Sequence, residues 1–369
     1  MTMSPYVPVR ALTDYLTLGR SGLRVSPLCL GSMTFGEQAS WASDVKGSEA
    51  VLAHFLALGG NFIDTANVYA NGYAEQIIGE YLARSGQRER AVIATKFCGN
   101  LYYRDPNGGG AGRKSMMHAV HESLRRLKTD YIDLYWVHFW DRNTPIEETL
   151  RALDDLVRAG KIRYIGLSNT PAWKVAQAQT MAQLRGWSPL VAVQVEYSLI
   201  ERSHEADLLP MAEELGLAIT AWSPVKSGLL TGKYTRATAA NTQPERADFL
   251  QGAFNERNFG IVDVVVDIAK ELNTTAARVS LAWLLARPGT VIPIVGARNS
   301  DQLDQNLNAA GVTLSAAQLQ RLDAVSAPAP DFMSHVGMIA PLIMHGGIGT
   351  NGVLPPEFPL GPKPDIGPR

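Results

Sequence analysis

The sequence predicts an α/β protein, a (β/α)₈ TIM barrel with an N-terminal β-hairpin and extra outer helices. Three observations carry that reading. Short apolar runs of strand length recur eight times and alternate with stretches of helical periodicity. Successive runs end on ionisable residues, Asp64, Lys96 and His138, as barrel strands do when their C-terminal ends face a site. The first strand is followed by Gly31-Ser32-Met33-Thr34-Phe35-Gly36, a poor match to the glycine-rich turn of an open doubly wound sheet.

In chain order, residues 1–13 have no clear period and read as a leader. Tyr15 to Val25 reads as a short hairpin, with Gly19 and Gly22 supplying the turn. Pro27–Gly31 is the first core strand. A helix is expected from Val45 to Leu58, stopped by Gly59-Gly60. The second strand ends at Asp64, a helix follows near Ala74–Arg84, and Ala91–Lys96 is the third strand. A loop rich in Gly and Tyr leads to a helix with Met117, Val120, Leu124 and Leu127 at helical spacing. Tyr131–His138 is the fourth strand, and Ile146, Leu150, Leu153 and Val157 mark the next helix.

Lys161–Gly166, running out at Ser168-Asn169, and Leu190–Val195 are the fifth and sixth strands, with no helix read between them. Leu208, Ala212 and Leu215 mark a helix, and Leu217–Ala221 is the seventh strand. A long loop spans roughly 223–260. Helical stretches near Val262–Leu272 and Ala276–Ala286 precede the eighth strand, Thr290–Val295. Asp301–Ala309 and Ser315–Val325 complete the helices. No linker interrupts residues 14–330, which read as one barrel domain. Residues 331–369 read as a tail without assigned structure, and Pro355–Arg369 is dense in Pro and Gly.

Composition narrows the function. The chain of 369 residues is long enough for one large core. A formal net charge of −1 provides no global basic field for nucleic acid. Cys29 and Cys98 are the only cysteines, so reduced thiols in a cytoplasmic protein are expected rather than a disulfide scaffold. No apolar run approaches the roughly 18 residues of a membrane span. The N-terminus lacks the apolar core of a signal peptide.

The strand ends carry the chemistry. Taken singly, each has a structural reading: Asp64 as a helix cap, Lys96 as a solvated strand end, His138 as a hydrogen-bonded histidine, Tyr69 as a half-buried loop aromatic. Their joint recurrence on one rim points to carbonyl reduction. Hydride addition leaves an alkoxide that needs a proton, and a tyrosine can supply it. An unperturbed phenol has a pKa of about 10, and a nearby ammonium moves it toward working pH. Lys96 would do that, Asp64 would hold Lys96, and His138 would orient the carbonyl oxygen. Gly108 to Ser115 suggests a phosphate loop, but Arg113 stands where that motif requires glycine. His118 and His121 have helical spacing without an accompanying metal motif, so no metal site is expected.

The sequence resembles the aldo-keto reductase superfamily. The resemblance rests on Phe62-Ile63-Asp64-Thr65-Ala66, Thr95-Lys96 and Asp133-Leu134-Tyr135-Trp136-Val137-His138, with Tyr69 in between, and covers roughly residues 15–326. It implies a (β/α)₈ barrel that reduces aldehydes or ketones with NAD(P)H, and it assigns Asp64, Tyr69, Lys96 and His138 to the catalytic tetrad. Ser168, Asn169 and Gln194 match the residues that hold the nicotinamide amide. Trp222 matches the aromatic that stacks on the ring, where many members have tyrosine. Ser223, Pro224, Gly228, Leu229 and Lys233 match the pyrophosphate loop. Gly296, Arg298, Gln302, Gln305 and Asn306 match the adenosine-phosphate clamp. Many relatives carry a lysine and a further arginine where this chain has Gly296 and Gln302. That departure leaves NAD(H) open, while related branches with a similar Gly/Gln pattern use NADP(H), which the resemblance implies as the preferred cofactor. It also admits a second role, that of the channel-associated β subunits, which bind cofactor, keep the tetrad and act through a partner.

Aromatic residues after the strands suggest the substrate. Phe35 and Trp41 follow the first strand, Tyr102 and Tyr103 the third, Phe139 and Trp140 the fourth. Some would pack loops; the others would line an apolar mouth suited to a bulky aldehyde or ketone. The lack of an evident Arg/Lys cluster there argues against a phosphorylated sugar.

Overall fold

The computed structural model describes residues 9–37, 39–239, 250, 252–330, 332–344 and 348–349. Two short strands, β1 (Leu16–Thr17) and β2 (Arg24–Val25), pair antiparallel as the predicted hairpin. Eight parallel strands then close a barrel. They are β3 (Cys29–Gly31), β4 (Phe62–Asp64), β5 (Val92–Phe97), β6 (Ile132–Val137), β7 (Ile162–Ser168), β8 (Leu190–Glu196), β9 (Ala218–Trp222) and β10 (Val291–Val295). β10 pairs with both β9 and β3, which removes any open edge. All six residues of β5 are buried, and such strands, covered on both faces, read as continuous apolar runs.

The barrel interior is a packed plug. Cys29, Phe62, Val92, Ala94, Leu134, Trp136 and Ile292 meet there with Leu18 and Val25 of the hairpin. The hairpin thus stops the N-terminal mouth. Gly19 turns it with φ +58°, and a Cβ there would overlap the Val191 carbonyl. Gly22, the other glycine expected to make the turn, is not in the left-handed region. Higher up, Trp136 lies against Gly166, where a Cβ would overlap its ring. Filled from below, the barrel interior is closed at its N-terminal mouth and opens at its C-terminal face.

The outer helices follow the expected alternation: α1 (Val45–Ala57), α2 (Tyr73–Ser85), α3 (Arg113–Leu127), α4 (Ile146–Arg158), α5 (Ala172–Arg185) and α6 (Leu208–Leu215). α5 was not read from the sequence. Its buried face is Ala172, Val175, Ala178, Gln179 and Ala182, small or polar side chains that give little apolar periodicity. The long loop after β9 contains a 3₁₀ turn, Lys226–Thr231, and the short α7 (Arg236–Ala239). α8 (Glu256–Glu271) starts six residues earlier than read, at 256 rather than 262, because the Asn255 side chain caps it by accepting from the Asn258 N–H. α9 (Ala276–Leu285), α10 (Ser300–Leu307) and α11 (Ala316–Ser326) follow. The tail, to which the sequence reading assigned no element, contains α12 (Phe332–Met344). Residues 1–8 of the expected leader and the Pro/Gly-rich stretch from Pro355 lie outside the described residues. Among the described residues, no helix is long and apolar enough to cross a membrane.

Candidate active site

Strand register brings the ionisable ends together. Asp64 pairs with Ala94 across β4 and β5, and Lys96 with Trp136 across β5 and β6. His138 follows β6 directly, its N–H donating to the Phe97 carbonyl at 3.2 Å. The Lys96 side chain is fully buried and forms an ion pair with the Asp64 carboxylate. Its Nζ also donates to the Thr65 carbonyl at 2.9 Å and contacts the Tyr69 hydroxyl at 3.3 Å. Gln194 Nε2 donates to Asp64 Oδ1 at 2.9 Å. Asp64 is therefore held from two strands. A buried charge survives only when paired and hydrogen-bonded in this way.

Tyr69 opens a 3₁₀ turn, Tyr69–Gly72, beyond β4. Its ring meets the His138 ring edge-on, with centroids 6.1 Å apart and planes at 83°. Burial, and then the Lys96 ammonium, lowers the His138 pKa to about 3. Among the described residues His138 Nδ1 has no hydrogen-bond partner, so nothing offsets burial and the imidazole is neutral. Burial would also lower Lys96, but Asp64 and then Tyr69 outweigh it and the ammonium is favoured. The phenol differs from the sequence expectation. Lys96 draws the Tyr69 pKa down, yet burial is the larger effect and the net shift is upward. In this environment Tyr69 holds its proton, as a donor must.

A chain of amides continues the site. Asn169 follows β7 in the left-handed region, φ +48°, which asparagine tolerates. Its Nδ2 donates to the His138 carbonyl and to Ser168 Oγ, both at 3.1 Å. Its Oδ1 accepts from Trp222 Nε1 at 3.1 Å. A cavity of about 580 Å³ runs from Asp64, Tyr69 and His138 past Asn169, Gln194 and Trp222 toward Gly228, Gly296 and Asn306.

The far end of that cavity includes a left-handed turn. Lys226, Ser227 and Gly228 have φ values of 46°, 49° and 90°. Such runs can turn N–H groups toward an anion; here those of Lys226 and Gly228 donate within the turn, to the Ser223 and Val225 carbonyls at 2.8 and 3.0 Å. The Lys226 ammonium is 2.5 Å from the Glu196 carboxylate at the tip of β8. Lys233 packs over Gly228, where a Cβ would lie 2.8 Å from its Cε. On the opposite wall Gly296 meets no atom closer than Thr34 Cγ2, 3.7 Å from where its Cβ would be, so that side is open. Asn306 Nδ2 pins the Gly296 carbonyl at 3.1 Å.

The expected site residues divide between those in the wall and those behind it. Ser223 and Pro224 line the cavity with the residues just named. Ser168 is buried behind Asn169, and Leu229 is a core residue. Gln302 accepts from the Arg298 N–H at 3.0 Å, and the exposed Gln305 accepts from Arg278 through its carbonyl. Arg298, Gln302, Gln305 and Lys233 are not part of the cavity wall. Of the aromatics read as a substrate mouth, Phe139 lines the cavity and stacks on His138 with centroids 4.2 Å apart. Phe35 does not: it is 1% exposed, packed into the core. Trp41 lies outside the wall, as does Trp140, which packs edge-on against Trp173 at 5.4 Å. Tyr102 bonds His118 at 2.9 Å instead. Met33, Val68, Leu281 and Ile294 line the cavity and were not singled out. Met33 was legible, being in the loop after the first strand. Leu281 and Ile294 carry only the signal of core residues.

The residues fit a nicotinamide dinucleotide: two side-chain amides and an indole near Tyr69 and His138, a left-handed turn that could face a diphosphate, and an open glycine wall beyond. A phenol beside a buried ammonium, with a neutral imidazole in the same cavity, suits an oxidoreductase acting on C=O and CH–OH groups. Comparison with known proteins agrees. The aldo/keto reductase family model matches residues 27–327, and the chain belongs to that family. It is 39% identical to an uncharacterized oxidoreductase of Bacillus subtilis over 84% of this chain and 95% of that one. It is 35% identical to an NADP(+) aryl-alcohol dehydrogenase of Phanerodontia chrysosporium, over 82% of this chain and 83% of the relative. It is also 35% identical to a norsolorinic acid reductase of Emericella nidulans, over 82% and 79%. The protein is thus an oxidoreductase of carbonyl compounds using a nicotinamide cofactor. The alternative of a channel-type regulatory subunit finds no support.

Proposed function

We propose that the protein is an NADPH-preferring reductase of bulky aryl or alicyclic aldehydes and ketones, with Tyr69 as proton donor. The observation that carries the reading is the Tyr69 hydroxyl 3.3 Å from the buried Lys96 ammonium, at the end of a cavity it shares with neutral His138. A bound reduced nicotinamide supplies the hydride. Asn169 and Gln194 would hold its amide, Trp222 would cover its ring, and Ser223, Pro224 and Gly228 would wrap its diphosphate. Neutral His138 donates a hydrogen bond to the carbonyl oxygen and fixes its direction. As charge grows on that oxygen, Tyr69 gives up its phenolic proton. The Lys96 ammonium, held by Asp64, stabilises the phenolate left behind. The reverse sequence oxidises an alcohol.

Substrate class rests on the apolar wall of Met33, Val68 and Phe139 and on relatives named for aryl alcohols. NADPH preference rests on Arg298 beyond the open Gly296 wall and on the relative named for NADP(+). We read residues 14–330 as the catalytic domain and the cytoplasm as its compartment, in keeping with two free cysteines. The test is a panel of aryl, alicyclic and small hydrophilic carbonyls, each with NADPH and NADH, followed by loss of reduced cofactor. The highest kcat/KM is expected for bulky apolar carbonyls with NADPH. Best turnover of a small hydrophilic aldehyde would overturn the substrate class. Arg298→Ala should weaken NADPH binding about tenfold, or ~1.4 kcal/mol, and leave NADH binding unchanged; equal loss for both would remove Arg298 from that role.

A further inference from the structure

The turn that presents Tyr69 is strained. Ala70, Asn71 and Gly72 are consecutive left-handed residues, with φ of 49°, 52° and 91°, and two of them carry a Cβ. Strained backbone persists only where its surroundings over-determine it. Within the turn, the Tyr69 N–H donates to the Ala66 carbonyl and the Asn71 N–H to that of Val68. These bonds are local and do not fix the turn relative to β5, the strand that carries Lys96.

Just before the turn, the Asn67 N–H donates to the Lys96 carbonyl at 3.0 Å; beyond Tyr69, two residues outside the tetrad make a second connection. Glu75, in the first turn of α2, is fully buried. Its Oε1 accepts from Thr95 Oγ1 at 2.5 Å, and Thr95 immediately precedes Lys96. Its Oε2 accepts from Arg126 Nε at 2.7 Å. Arg126, from α3, is itself only 10% exposed. The stem of Arg126 lies on the strained turn: a Cβ on Gly72 would be 2.8 Å from its Cδ and Nε. A continuous path therefore runs from Lys96 through Thr95, Glu75 and Arg126 to Gly72 and Tyr69. Buried ion pairs are weak sources of stability and can often be replaced by apolar side chains. This pair joins the strand of the ammonium to the turn of the phenol.

We propose that Glu75 and Arg126 are positioning residues that set the Tyr69 hydroxyl against the Lys96 ammonium. The inference rests on the proton-donor role proposed for Tyr69. Glu75→Gln keeps the size and the acceptor for Thr95 while removing the charge. It should lower kcat roughly tenfold to hundredfold, as small misplacements of reacting groups do. KM, and the cofactor Kd read by tryptophan fluorescence, should stay within about twofold. The deciding measurement is Glu75→Gln in a Tyr69→Phe background. Acting through Tyr69, it should cost the residual rate little there, because coupled residues are non-additive. Equal loss in both backgrounds overturns the proposal, as does an unchanged kcat with a lowered Tm. Arg126→Lys keeps the charge and is the second variant should Glu75→Gln not fold. A smaller fall in kcat that vanishes with Tyr69→Phe supports the proposal, and a loss independent of Tyr69 refutes it. If the unsubstituted enzyme turns over no carbonyl, the functional reading fails. If it turns over and these variants match it, only the positioning role fails.

Discussion

The two ends of the cavity are built on opposite principles. At the reaction end, Asp64, Lys96 and Gln194 are buried side chains fixed by the tips of three strands. At the end proposed to hold the cofactor, the wall includes Ser227 and Gly228 of the left-handed turn and the open side of Gly296, with a largely buried ion pair between Lys226 and Glu196 behind it. A buried charged cluster marks the first end and a left-handed turn the second. Single substitutions should therefore be severe at the first and graded at the second.

Lys96→Met offers the largest contrast. It strands the Asp64 carboxylate in the barrel without its counter-ion, and removing one partner of a buried pair costs about 3–5 kcal/mol. The folded fraction that remains should lose at least ~10³-fold in kcat, since the ammonium beside Tyr69 is gone. Tyr69→Phe should lose about 10²–10⁴-fold without the stability cost. Denaturant unfolding and single-turnover reduction separate the two. An unaffected midpoint for Lys96→Met would break the contrast, since it would mean that Asp64 is not held by charge.

At the cofactor end, Lys226→Met should raise the cofactor Kd about tenfold, or ~1.4 kcal/mol, with kcat at saturation unchanged. Lys226→Glu combined with Glu196→Lys should recover part of the loss, because the pair acts by tethering the turn to β8. Titration of the intrinsic tryptophan fluorescence, to which Trp222 beside the turn contributes, reads the Kd. A fall in kcat larger than the change in Kd would mean that the two ends are mechanically coupled.

The same division explains what the sequence disclosed. Asp64, Lys96 and His138 were legible because an ionisable residue closing an apolar strand is a local pattern, and the barrel converts sequence order into adjacency. The barrel itself was legible from eight apolar runs. α5 was not, because alanine and glutamine on its buried face carry little contrast. Ile294 and Leu281 were not, because an apolar side chain facing a cavity has the same sequence signature as one facing the core. Phe35 shows the converse: an aromatic after a strand end looks like a pocket residue and is buried at 1% exposure. Nor could the sequence weigh burial against the Lys96 charge at Tyr69, since the two act in opposite directions and only the geometry decides between them.

His138 gives the reaction end a pH signature. Its pKa is about 3 in the folded protein, against about 6.5 when unfolded. Between those values the unfolded chain binds a proton that the folded one does not, so this residue makes stability fall as pH drops below about 6.5. The slope approaches ~1.4 kcal/mol per pH unit. His138→Gln should flatten it when urea unfolding is compared at pH ~7.5 and ~5.5. An unchanged slope would mean that the imidazole is charged in the fold, contrary to a neutral donor at the carbonyl oxygen.

The smallest expected effects lie at the mouth, where neighbouring aromatics test whether cavity walls or mere proximity set specificity. Phe139 is 51% exposed, lines the cavity and stacks on His138. Trp140, the next residue, turns away to Trp173 and carries Arg142 on its face at 4.9 Å. A substrate beside His138 would meet the first ring and not the second. Phe139→Ala should raise KM for bulky aryl carbonyls about threefold to tenfold, the scale of one aromatic contact at ~0.5–1.5 kcal/mol, and leave a small aldehyde within twofold of its starting value. Trp140→Ala should leave both substrates within about twofold, since what it removes is packing between two surface tryptophans. If Trp140→Ala instead raises KM for the bulky class as much as Phe139→Ala does, the segment after β6 folds inward over bound substrate. Specificity would then belong to a closing loop and not to the wall of the cavity.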